Sequence, residues 1–299
     1  MERAPKIGKA PLSSFGPENL ILTGENTRHH VVSFAGPIAI KAVSFGEVEW
    51  RLQGQRYLIR PDTLLLLPDG DEYSMTIDSP EPSRTFCPVF RRGLVEECWR
   101  ASKSTSEQLL AAPNEATSLD FRRRLISRSG PLGRVLDALA AAVLANEPAD
   151  RLSWLFEALG ARAAEAVADG RRETSQICAL RASTRMEIHR RLTIAREAVE
   201  DDLAAPWTLV AMAREATMAP HHFHHCFRDA FKEAPRAWLS RRRAERAMAL
   251  LRTTKRPVTD ICFAVGYASI GSFSTSFARR FGTAPSRIER KSKSVGTLN

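Results

Sequence analysis

The chain has 299 residues, 43% hydrophobic and 26% charged, enough apolar material for packed cores and too much for a disordered tail. Its net charge of +10 sits in one half: residues 171–299 carry 24 Lys and Arg against 12 Asp and Glu, residues 1–170 carry 20 against 22. No window nears the roughly 18 apolar residues of a bilayer span, no apolar stretch marks a secretory signal, and five scattered cysteines without a CxxC pair suit free thiols in a reducing cytoplasm.

About two domains are expected at this length, a near-neutral one followed by one that binds a polyanion. Residues 17–90 read as antiparallel strands. Val48, Trp50 and Leu52 alternate with Glu47, Glu49 and Arg51; Gln53-Gly54 turns the chain; an apolar run over 63–67 follows Pro61-Asp62; and Tyr73, Met75 and Ile77 alternate again. Short strands without intervening helices predict a sandwich or small barrel. Trp50, Tyr57, Tyr73 and Phe86 are candidates to line an effector pocket inside it, with ordinary core packing as the alternative for each.

From Arg92 the periodicity becomes helical. Leu132, Leu136, Leu139 and Val143 form one stripe; Leu152, Leu155, Phe156 and Leu159 form another beyond Pro148. Each stripe is buried either against the β-domain or in a homodimer interface, and for the first the dimerisation reading is carried forward. Residues 171–184 are polar and read as a linker between a domain at 1–170 and a helical domain at 185–299 that ends in a basic tail.

The basic half repeats itself. Phe223, Phe227, Phe231 and Ala234-Pro235 recur 50 residues later as Phe273, Phe277, Phe281 and Ala284-Pro285; upstream, Leu209, Met212 and Ala213 recur at an offset of 49 as Val258, Ile261 and Cys262. Each copy reads as a short helix, a tight turn and a second helix, which is a helix-turn-helix. A longer helix over 235–251 joins them. At 100° per residue the three phenylalanines of a copy span about 80°, one core-facing stripe. On and beside the opposite face of the first copy stand His221, His224 and His225; on that of the second stand Gly271, Ser272 and Thr275. Helices of this length fit the DNA major groove and read base edges with their N-terminal residues. Thr208, Arg228, Lys232, Arg279 and Arg280 are placed to hold phosphates.

From about residue 185 to 290 the chain resembles the DNA-binding domain of AraC/XylS-type bacterial transcription regulators. The likeness rests on Trp207-Thr208-Leu209, on Arg243-x-x-Arg246-Ala247-x-x-Leu250-Leu251, on Ile261-x-x-x-Val265-Gly266-Tyr267, and on Phe273-x3-Phe277-x3-Phe281-Gly282-x-x-Pro285. The first half is similar, more loosely, to the cupin-like effector domains of such regulators through Gly46-Glu47-x-Glu49, Gln53-Gly54-x-x-Tyr57-x-Ile59-x-Pro61 and Leu65-x-x-Pro68-x-Gly70. The resemblance implies an α+β protein: a cupin-like antiparallel β-barrel with trailing helices, then an all-α domain with two helix-turn-helix units. It further implies sequence-specific binding to double-stranded promoter DNA, action on RNA polymerase, a small-molecule effector in the barrel, homodimerisation and a cytoplasmic, nucleoid-associated protein.

Departures from the family pattern are visible. Ala219 stands where a capping Ser is usual, with Pro220 as the first helical residue in partial compensation. Pro257 replaces another cap, and Ile270 and Gly271 replace polar readers, so base specificity is expected mainly from the first unit. Two other readings stay open: a ligand-independent regulator whose barrel only dimerises, and a metal-dependent cupin enzyme. Against the enzyme, His29 and His30 are the only histidines of residues 1–170 and, as strand neighbours, face opposite sides. Neither cofactor nor metal is expected, the run 221–225 being assigned to DNA and not to an ion.

Overall fold

The computed structural model describes residues 15–105, 108, 111, 121–179 and 181–288. These divide into two compact units that meet between Ala168 and Asp169. The expected basic tail at 291–299 lies outside the described residues.

Among the described residues the first unit has seven strands: β1 (Leu20–Ala35), β2 (Ala39–Phe45), β3 (Val48–Leu52), β4 (Gln55–Ile59), β5 (Thr63–Leu67), β6 (Glu72–Val89) and β7 (Arg124–Ser127). They form one antiparallel half-barrel in the order β4-β3-β6-β2-β5-β7, with β1 also paired to β6. β6 organises the sheet because it is long. One edge accepts β1 from Leu20↔Val89 to Ala35↔Glu72, and the other is shared between β2 and β3. The β3–β4 hairpin turns at Gln53 and Gly54, whose φ angles of 48° and 79° both lie in the left-handed region, as a two-residue turn matching strand twist requires.

Alternation along the strands sorts two cores. Ile40, Ala42, Leu64, Leu66 and Phe90 face outward to helices; Ala39, Val43, Trp50, Tyr57, Leu65 and Leu67 face the interior of the half-barrel. The covering helices are α1 (Leu94–Lys103), α2 (Pro131–Leu144) and α3 (Ala149–Ser175). Leu132, Leu136, Leu139 and Val143 of α2 are at most 6% exposed and pack with Leu64, Phe90, Leu155 and Phe156. The stripe assigned to dimerisation is therefore the outer core of its own unit: the outward sheet face needs an apolar cover, and α2 supplies it.

Two further differences from the sequence reading concern boundaries. β7 lies in a stretch expected to be helical; its four half-buried residues are too few to show a period, and pairing with β5 makes them a strand. The expected linker is helical as far as Ser175, and the next helix begins at Ala182. A polar run looks like a linker when only one side of a helix needs burial.

The second unit is all-helical: α4 (Ala182–Asp201), α5 (Leu209–Glu215), α6 (Pro220–Phe231), α7 (Pro235–Thr253), α8 (Val258–Ala264) and α9 (Ile270–Phe281), then a 3-10 turn at Pro285–Arg287. It has two cores. Phe223 and Phe227 pack with Leu192, Val199, Met212 and Trp238, while Phe273 and Phe277 pack with Ala247, Leu251, Ile261 and Val265. No helix among the described residues is long and apolar enough to cross a membrane.

Candidate nucleic-acid interface

Both helix-turn-helix units form where the repeat places them. α5, the turn 216–219 and α6 make the first; α8, the turn 265–269 and α9 make the second. All four inner phenylalanines, Phe223, Phe227, Phe273 and Phe277, are at most 1% exposed. Phe231 and Phe281 close each stripe at half burial.

With the stripes buried, the opposite faces reach solvent. On α6, His221, His222, His225 and Arg228 are exposed and His224 is half-buried. His221 and His225 are one turn apart and their Nε2 atoms lie 3.2 Å from each other, so one ring donates and the other accepts. On α9, Gly271, Ser272, Thr275 and Arg279 are exposed. Ser272 is partly committed, because its amide donates to the capping Ser269 hydroxyl at 3.3 Å and its own hydroxyl donates to the Ser269 carbonyl at 3.0 Å. Thr275 offers the less committed hydroxyl.

Among the phosphate candidates the structure separates three cases. Arg228, Lys232 and Arg279 are exposed at the C-terminal ends of α6 and α9. Thr208 caps α5, its hydroxyl oxygen accepting from the Ala211 amide at 3.1 Å, which leaves its proton to donate outward. Arg280 is also exposed, but its Nη2 pairs with the buried Glu245 carboxylate at 3.2 Å. The expectation of a phosphate role for Arg280 thus meets a competing intramolecular partner that a count of charges could not reveal.

The two units are held by α7. Arg242 donates to Glu200 on α4 and to Glu245, with all three side chains at most 9% exposed, and Arg241 joins Glu233 and Glu245. On the side of the second unit, Ser240 meets Ser276 at 3.1 Å and the Tyr267 hydroxyl donates to Ser276 at 3.1 Å. Arg243 donates to the carbonyls of Leu203 and Ala205, and burial pushes its guanidinium below the usual range without discharging it. The buried Glu200, Arg242 and Glu245 have no place in the sequence reading of this helix, which took it as the connection between the two units.

This geometry accords with the comparisons. Residues 36–177 match the family model of the AraC-like ligand binding domain, and residues 212–291 match that of a helix-turn-helix domain. The chain thus carries an AraC-like ligand binding domain followed by a helix-turn-helix domain. The virulence regulon transcriptional activator VirF of Yersinia enterocolitica is 36% identical over 89 residues, 30% of this chain and 33% of its own, so the match spans about a third of that relative. The RCS-specific transcriptional activator RclR of Escherichia coli K12 is 26% identical over 245 residues, 80% of this chain and 78% of its own. A solved structure, ToxT from Vibrio cholerae, aligns over 90% of this chain and 97% of its own at 13% identity and TM-score 0.34.

The pocket candidates in the AraC-like unit are only partly brought together. Trp50 and Tyr57 are buried at 1% and 3% in the inner core, Phe86 belongs to the outer core on the other side of the sheet, and Tyr73 borders a cleft lined also by Phe34, Lys41 and Leu67. Strand parity explains Phe86: it stands thirteen residues from Tyr73, an odd step that changes face. Among the described residues no group of three or more His, Cys, Asp or Glu converges as metal ligands do. Burial pushes the thiols of Cys87, Cys98, Cys226 and Cys262 above their usual range, the reverse of what a nucleophilic cysteine requires.

Proposed function

We propose that the protein is an AraC-type transcription regulator that reads double-stranded promoter DNA by placing α6 and α9 in successive major grooves, and that a small molecule in the half-barrel controls where it binds. The observation that carries this reading is the pairing of two phenylalanine-backed helices with exposed imidazole and hydroxyl faces, both fixed to α7. His221, His224 and His225 then contact bases through the first unit, with Thr275 and Ser272 contributing through the second. Arg228, Lys232 and Arg279 hold phosphates and set register.

Homodimerisation, in the same reading, falls not to the buried α2 stripe but to exposed apolar residues nearby, Leu144 at 57% and Trp154 at 55%. Two copies on adjacent sites gain affinity through effective concentration, and effector occupancy acts by changing that gain. Transcription then responds through RNA polymerase recruited beside the bound copies.

Footprinting of the purified protein on the DNA upstream of its own gene tests the reading. Two protected patches about 10 base pairs apart on one face per protomer are expected. Binding to that DNA no tighter than to a scrambled duplex at the same salt overturns it.

A further inference from the structure

Lys41 lies in the middle of β2, opposite Leu65 of β5, on the inner face between Ala39 and Val43. It is 2% exposed, so its ammonium is inside the half-barrel. Nζ donates to the Tyr73 hydroxyl at 2.7 Å and stands 4.3 Å from the centre of the same ring. Among the described residues no carboxylate forms an ion pair with it. An ammonium has three donors, and Tyr73 accepts one. A buried cation held by a single neutral oxygen is poorly compensated, since desolvation of the charge exceeds what one such bond returns.

The cleft beside Lys41 supplies the rest of the argument. Phe34, Pro37, Leu67 and Val89 give it apolar walls, and Lys41, Tyr73 and Asp71 are its polar groups. Its volume is about 240 Å³, the open mouth included. Tyr73, having accepted from Lys41, keeps its phenolic proton to donate. Lys41 and Tyr73 therefore offer two converging donors, the pattern that a carboxylate's two oxygens satisfy. Asp71, tied to Arg123 at 3.5 Å, has a buried Oδ2 without a hydrogen bond. Its charge disfavours a second negative group and favours a hydroxyl or ammonium donor on the ligand.

We infer that the ligand of this domain is a small monocarboxylate, seated with its carboxylate on Lys41 and Tyr73 and its carbon body against the apolar walls. The inference rests on reading the first unit as the effector domain and adds the chemical class of the effector. It does not depend on how DNA is read.

Formate is the probe, because the smallest carboxylate presents its two oxygens to Lys41 and Tyr73 whatever body the natural ligand carries beyond them; neutral formamide is its control. The full chain is titrated with each at constant ionic strength, following the thermal midpoint and the line width of carbon-13-labelled formate. Formate is expected to give a saturable rise in the midpoint, and formamide none. Lys41→Met, which keeps length and removes charge, is expected to abolish the rise, and Tyr73→Phe to weaken binding roughly tenfold. Circular dichroism verifies that both variants fold. No saturable effect on the wild-type chain, an equal effect of formamide, or a rise kept by Lys41→Met overturns the inference. Footprinting with the same preparations separates this failure from failure of the DNA reading, because it uses no carboxylate.

Discussion

Arg242 on α7 and Glu200 on α4 form a buried ion pair, with Nη2 donating to Oε2 at 3.0 Å and side chains 2% and 9% exposed. Glu245 completes the set from one turn along α7. The network ties the helix between the two reading units to the helix that precedes them. Removing the cation takes the Arg242 partner from the buried Glu200 carboxylate, while Glu245 keeps Arg241 and Arg280, and costs about 3–5 kcal/mol. Arg242→Met is expected to destabilise the second unit by that amount in urea denaturation, and Arg242→Met with Glu200→Leu and Glu245→Leu to recover most of it.

The two turns differ at one backbone position. Gly266 has φ 86° in the second turn, and its counterpart by the offset of 49 is Thr217 at φ 52°. A Cβ on Gly266 would sit 2.7 Å from Arg243 Nη2 and 2.8 Å from the Leu203 carbonyl. Gly266→Ala is therefore expected to cost on the order of 1–3 kcal/mol. Thr217 is exposed, and a β-branched residue is strained in the left-handed region. Thr217→Gly is expected to raise stability by about 0.5–1 kcal/mol, the strain of roughly 1–2 kcal/mol being offset in part by the entropy of glycine. Thermal melts of the two variants check both signs.

Helix caps show the same asymmetry. Ser269 accepts from the Ser272 amide at the start of α9, whereas Ala219 leaves α6 without a side-chain cap. Ala219→Ser is expected to stabilise the first unit by about 1 kcal/mol and Ser269→Ala to destabilise the second by about as much. Hydrogen exchange at the first-turn amides of α6 and α9 resolves the two effects.

Base and phosphate contacts respond differently to salt. His225→Ala is expected to lose about 1–3 kcal/mol on the footprinted site and little on scrambled DNA. Lys232→Ala and Arg279→Ala are expected to weaken both duplexes alike and to lower the slope of log affinity against log salt by about 1 each. Fluorescence anisotropy across salt concentrations distinguishes them. A uniform loss for His225→Ala would move that residue to the phosphate class.

The identity of the helix-turn-helix units was legible residue by residue. Phenylalanines four apart can occupy only one stripe, a stripe must be buried, and its repetition at offset 50 fixes both turns to within the offset of one residue. Strand alternation likewise exposed the half-barrel, because a sheet with two different faces writes its period into the chain. Single residues were less legible where two partners competed for them. Leu136 of α2 reads equally as core or interface until the sheet face that covers it is known. Arg280 reads as a phosphate ligand until Glu245 appears beside it. Phe86 reads as a pocket wall until strand parity is counted through β6.

The sequence alone determined the order of units, the helical period behind each reading face and the separation of charge between the two halves, since these follow from spacing along one chain. Tertiary structure alone decided which charges are spent inside the molecule, at Glu200, Arg242 and Glu245, and that Lys41 is enclosed beside Tyr73. Such pairings join residues 42 and 32 positions apart. Their energies depend on burial and on distances of a few ångströms, which no local pattern encodes.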